Sequence, residues 1–126
     1  MNGINLLMDS NIIIKFLAGD KEVQKYFLDF FPGFFFISEL EVLSGTKFQE
    51  GGFEHAQELL QEYQMIEYLP EMKDIVINIR AQKSIKLPDA IIAATAIYYN
   101  LPLVSSDKGF NGIKGLNFIY HERTLA

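Results

Sequence analysis

Four acids in this chain, Asp9, Glu41, Asp89 and Asp107, have types and positions suited to chemistry. Asp9 ends the apolar run at 4–8, and Asp107 follows Leu103-Val104-Ser105-Ser106. Ser38 and Glu41 come directly after the apolar run at 34–37, and Asp89 stands beside Pro88 at the head of a long apolar segment. Carboxylates gathered in one place would suit a hard divalent cation, which takes oxygen ligands, keeps some of its waters and can activate one of them against a phosphoryl centre. Each acid also has a local explanation. Asp9 can cap the helix after it, and Ser38-x-x-Glu41 has the form of a capping box. Asp89 matches the positive end of a helix dipole, and Asp107 before Lys108-Gly109 suits a turn. Capping alone does not explain why all four are carboxylates where Ser, Thr or Asn would serve.

Whether these acids meet depends on the elements that carry them, and the segment 86–110 is central. Pro88 and Asp89 suit a first helical turn, and 90–99 has no polar side chain except Thr95 and the tyrosine hydroxyls. A helix apolar on nearly every face belongs between other layers. Asn100 can cap it, Pro102 forbids continuation, and Leu103-Val104 reads as a short buried strand. Further strands are expected at 4–8, 34–37, 65–69 and 116–120. Helices are expected at 12–17 closed by Gly19, from an Asp20 cap to about Leu28, from Ser38 to Gly45, over 53–63, and from Pro70 onward. This alternation predicts a three-layer α/β/α fold around a mainly parallel sheet of four or five strands. In such sheets ligands bind beyond the C-terminal strand ends, where the strand order reverses. Asp9, Ser38, Glu41 and Asp107 fall on that edge, while periodicity does not place Asp89.

Composition narrows the alternatives. The 126 residues are expected to form one domain over 1–126, and a hydrophobic fraction of 49% with eleven Phe supports a packed core. No run is long enough for a membrane span, no signal peptide is recognisable, and there is no cysteine, which fits a cytoplasmic address. A net charge of −5 argues against a non-specific nucleic-acid binder unless cations neutralise some of the acids. Neither a phosphate-binding GxxxxGK[ST] loop nor a dinucleotide-binding glycine turn is present. His55 and His121 lie in polar segments and read as surface residues, not as a zinc site or triad. The clusters Phe30-Phe31 and Phe34-Phe35-Phe36 read as core, with a protein-binding groove as the alternative.

Taken in order, Asp9-Ser10-Asn11, Ser38-x-x-Glu41-x-x-x-Gly45, Leu87-Pro88-Asp89-Ala90-x-Ile92-Ala93-Ala94-Thr95-Ala96 and Leu103-Val104-Ser105-Ser106-Asp107-x-x-Phe110 resemble the four signatures of PIN domains. The likeness is to the small VapC-type toxin ribonucleases of prokaryotic toxin–antitoxin pairs, and it spans about 4–119. It implies that Asp9, Glu41, Asp89 and Asp107 form one acidic cluster binding Mg²⁺ or Mn²⁺, in an endoribonuclease held inactive by a cognate antitoxin protein. It also implies a homodimer whose groove lies near that cleft. Within this reading Asp9, Asp89 and Asp107 ligate the metal and Glu41 orients water. Asn11, Ser38 and Ser105 support ligands or phosphate, and Arg80, Lys83 and Lys86 are candidates for RNA contact. Ser105 stands where relatives often carry Thr, and Lys108-Gly109 where many carry a further acid. Two readings of other classes stand beside it: an aspartyl-nucleophile phosphohydrolase, suggested by Asp9-Ser10-Asn11 after the first strand, and a catalytically silent protein-binding module.

Overall fold

A computed structural model describes residues 3–46 and 51–122. Five strands, β1 (Leu6–Met8), β2 (Pro32–Phe35), β3 (Gln64–Ile66), β4 (Leu103–Ser105) and β5 (Phe118–Tyr120), form one parallel sheet in the order β3-β2-β1-β4-β5. Its helices are α1 (Ser10–Leu17), α2 (Gln24–Leu28), α3 (Phe36–Gly45), α4 (Gly52–Gln61), α5 (Lys73–Gln82) and α6 (Leu87–Tyr98). The chain winds outward from β1 through β2 to β3, then crosses back to lay β4 and β5 on the other side of β1. The order therefore reverses between β1 and β4. No helix among the described residues is long and apolar enough to cross a membrane.

The strand period of two sorts the side chains into two cores. Leu6, Met8, Phe34 and Val104 pack on one face with residues of α1, α2, α3 and α4. Leu7, Phe35 and Leu103 pack on the other with α5 and α6. Ala90, Ala93, Ala94 and Ala96 are fully buried, and their small side chains let α6 lie close between the sheet and α5. Asn100 ends α6 in the left-handed region at φ 55°, the expected place for a stop.

Several boundaries differ from the sequence reading. The second strand starts at Pro32 and stops at Phe35, so Phe36 and Ile37 belong to α3, which opens two residues before Ser38. Proline is tolerated as the first residue of a strand, where its missing N–H removes little from the ladder. Gly33 is not a turn residue but a point of close approach. A Cβ there would lie 2.8 Å from Ile4 Cδ1 and 3.1 Å from the Gln64 carbonyl oxygen across the β2–β3 ladder. Gly33→Ala is therefore expected to cost about 1–3 kcal/mol, read from urea denaturation midpoints. The third strand ends at Ile66 because its last partner is Phe35, after which β2 becomes helix. The first and last strands begin at Leu6 and Phe118, inside the apolar runs. Both α2 and α5 are preceded by 3₁₀ turns, Lys21–Val23 and Pro70–Met72, the former capped by Asp20.

His121 also departs from expectation. It is buried, with Nδ1 2.9 Å from the Tyr26 hydroxyl and the two rings edge to face. Its segment is polar, but α2 folds against the end of β5 and covers it. His55 is exposed, as its sequence suggests. Of the phenylalanines, Phe34 and Phe35 are buried while Phe31 is 73% exposed.

Candidate active site

Asp9 leaves β1 and Ser105 closes β4, so the sheet itself puts them side by side at the reversal point. Asp9 is buried, and its carboxylate accepts three hydrogen bonds. Oδ1 accepts from the Ser10 backbone N–H at 2.8 Å. Oδ2 accepts from the Ser105 hydroxyl at 2.6 Å and from Asn11 Nδ2 at 3.2 Å. The Ser105 oxygen in turn accepts from Asn11 Nδ2 and from the Asp107 backbone N–H, each at 3.0 Å. Asn11 Oδ1 accepts from the Ser106 backbone N–H at 3.0 Å. The Ser105 proton and both its lone pairs are thus committed, leaving it to orient Asp9 and the turn that carries Asp107. Ser105→Ala should cost about 1–3 kcal/mol by stranding these buried partners, whereas Ser105→Thr, which keeps the hydroxyl, should cost little; chemical denaturation separates the two.

The remaining acids reach the same place from different layers. Asp9, Ser10 and Asn11 line one cleft with Glu41 of α3, Lys86, Pro88 and Asp89 at the start of α6, and Asp107, around a volume of about 280 Å³. Asp89 is pushed up to about 6, first by burial and then by the charges of Asp9, Asp107 and Glu41, with Lys86 pulling the other way. Burial, followed by Asp9, also raises Glu41, which the Ser10 hydroxyl partly offsets. Asp9 is raised by burial against the hydrogen bonds from Ser105 and Ser10. Local capping and convergence coexist: Asp9 is the N-cap of α1, Asp107 accepts from the Gly109 N–H at 2.8 Å, and Asp89 lies in the first turn of α6. A larger hollow of about 630 Å³ opens near the N-terminal strand ends between Phe27, Phe31 and Tyr63, but it lacks such a convergence of charged groups.

Not every residue singled out from the sequence arrives there. Because Phe35 is the N-cap of α3, Ser38 sits inside the helix and no Ser38–Glu41 capping box forms, so that box does not hold Glu41 away from the cleft. The Ser38 hydroxyl is buried and finds no hydrogen-bond partner among the described residues. Lys86 lines the cleft, but Lys83 Nζ donates to the Asn111 carbonyl at 2.6 Å, and Arg80 is exposed on the last turn of α5. Two residues escaped the sequence reading. Ser10, read in sequence only within the Asp9-Ser10-Asn11 signature, offers its hydroxyl to Glu41, and Lys15, one helical turn after Asn11, donates from Nζ to the Ser106 hydroxyl at 2.7 Å. The spacing of four between Asn11 and Lys15 was the available signal.

The sequence pattern of the PIN domain matches residues 6–116. The chain belongs to the PIN domain family. Its structure is similar to that of a toxin–antitoxin complex from Klebsiella pneumoniae, at 26% identity and a TM-score of 0.83, covering 94% of this chain and 100% of that one. It is also similar to VapBC2 from Rickettsia felis, solved with a DNA fragment from its promoter (17% identity, TM-score 0.79, 93% and 98% covered). FitAcB from Neisseria gonorrhoeae shares the fold too (19% identity, TM-score 0.75, 92% and 96% covered). No curated protein sequence matches the chain. PIN domains are typically nucleases. As placed, no three carboxylate or imidazole groups among the described residues are close enough to ligate one ion. The donor chemistry of this PIN domain nevertheless fits a hard cation, since four carboxylates without a thiolate or imidazole line the cleft.

Proposed function

We propose that this PIN domain is a Mg²⁺-dependent endoribonuclease and the toxin of a toxin–antitoxin pair. The observation that carries the reading is the convergence of Asp9, Glu41, Asp89 and Asp107 on one cleft at the β1/β4 reversal, where burial and then the charges of the other three push Asp89 up to about 6. Asp9, Asp89 and Asp107 would hold the ion, with Mn²⁺ as a substitute. When bound, it supplies charge to polarise the phosphoryl oxygen and lower the pKa of water. Glu41, exposed and raised in pKa, holds the attacking water and accepts its proton. Asn11 and Ser105 keep Asp9 in register by the bonds already described. Lys86, at the rim, faces the incoming phosphate.

Similarity to the toxin–antitoxin complex from Klebsiella pneumoniae supports an antitoxin as partner. Such a partner would need to meet the cleft with a basic group, and Arg suits a bidentate approach to paired carboxylates. The aspartyl-nucleophile alternative is disfavoured because both Asp9 oxygens are engaged by fixed donors. The test is cleavage of RNA by purified protein: it should vanish in excess chelator and return with Mg²⁺ or Mn²⁺, while Ca²⁺, with longer and looser coordination, restores little. Undiminished cleavage in chelator, by protein free of contaminating nuclease, would remove the metal from the mechanism.

A further inference from the structure

We propose that Lys108 and Tyr120 together bind the nucleotide next to the scissile phosphate, Lys108 taking its phosphate and Tyr120 stacking its base. This rests on the ribonuclease reading and adds a substrate-binding site to it. Lys108 directly follows the cleft acid Asp107, and its ammonium lies 5.5 Å from the centre of the Tyr120 ring. Tyr120 pairs with Ser105 in the parallel ladder, so the ring stands at the same C-terminal edge as the acids, one strand further out. It is 36% exposed at the end of an edge strand, and Phe118 supports it at 6.2 Å between ring centres.

The cation on the Tyr120 ring is Lys108, in a chain that carries −5 overall. Lys15 reaches the same 105–107 turn through its bond to Ser106. A strand of RNA leaving the acidic cleft toward β5 would meet the Lys108 ammonium and the partly exposed Tyr120 ring. When a phosphate draws Lys108 off the ring, that face becomes available to a base, so two contacts replace one. Stacking on a tyrosine requires an unstacked base, which makes the preferred substrate an unpaired segment. The position after Asp107, where the PIN resemblance suggests a further acid, thus serves substrate binding.

The test measures anisotropy of a labelled unpaired RNA oligonucleotide in chelator, where nothing is cut, alongside cleavage kinetics in Mg²⁺. Lys108→Ala should weaken binding several-fold and flatten the slope of log affinity against log salt by about 0.7, the single-strand value for one phosphate contact. Tyr120→Leu should weaken it roughly 5- to 100-fold, while Tyr120→Phe and Lys108→Arg retain most of it. In cleavage both losses should appear in KM far more than in kcat. Lys114→Ala, an exposed lysine outside this corner, is the control and should bind as wild type. Melting temperatures close to wild type would exclude misfolding as the cause. RNA binding that depends on the pair, without any cleavage, would keep this proposal and sink the nuclease reading. Cleavage with unchanged KM in Lys108→Ala and Tyr120→Leu would overturn this proposal and leave the nuclease standing.

Discussion

Asp9→Asn should reduce RNA cleavage by at least about a hundredfold, since even the supporting partners of a metal ligand typically contribute 10- to 100-fold. The variant should also be less stable, because its amide faces donors on both sides. If the Asn oxygen keeps the Ser10 N–H, the Nδ2 group points at the Ser105 hydroxyl, whose lone pairs already accept from Asn11 and Asp107. Turning Asn11 to help would strand the Ser106 N–H. Removing a buried charge offsets part of this loss, and a net cost of about 1 kcal/mol remains, read by urea denaturation of metal-free protein. A variant that cleaves RNA within a few-fold of wild type would take Asp9 out of the site.

Asp89→Asn should abolish activity to a similar degree but leave the metal-free fold as stable as wild type, or up to about 1 kcal/mol more stable. Asp89 is raised from its ordinary value of 3.8 to about 6 by burial and then by three neighbouring acids. The folded state therefore binds its proton more tightly than the unfolded state does. Its contribution to stability is fully present below about 3.8 and is lost as pH rises toward 6. Half-exposure screens the effect, and loss of a favourable helix-dipole contact offsets some of the gain. Melting of metal-free protein between pH 4 and 7 should show a decline in wild type that is smaller in the variant, where Asp9 and Glu41 remain raised. In Mn²⁺ the order should reverse, since wild type gains RT ln(1 + [L]/Kd) and the variant gains little. A variant destabilised without metal and still stabilised by Mn²⁺ like wild type would make Asp89 a helix-dipole residue and nothing more.

The parts of this molecule that were legible in sequence are those governed by local rules. Apolar runs ending in Asp9 and in Ser105-Ser106-Asp107 implied strand ends, and the alternation with helices implied a parallel sheet. Periodicity could not place Asp89, because it reaches the cleft by the docking of a whole helix; only the PIN resemblance put it in the cluster. The start of α3 was misread because Ser38 imitates an N-cap, while the true start at Phe36 is set by where β2 stops pairing. His121 looked exposed because the residue covering it, Tyr26, lies 95 positions away. Of the three cations proposed for RNA contact, only Lys86 lines the cleft, since Lys83 is tied to Asn111 and Arg80 projects from another turn. Charge on a helix surface carries no direction until the helix is placed.

The bonds from Asn11 and Asp9 to Ser105 and Ser106 join positions 94 to 96 apart. Asp9 and Asn11 are thus synthesised well before Ser105 and Asp107. At about 5–20 residues per second, a ribosome spends several seconds or more between the two. Throughout that interval Asp9 has no Ser105 to hold it, and Asp89 and Asp107 do not yet exist. An interrupted message therefore yields fragments without the complete cleft. If the chain is the toxin proposed above, this layout would give a partner made beforehand time to be waiting when β4 and the turn after it complete the site.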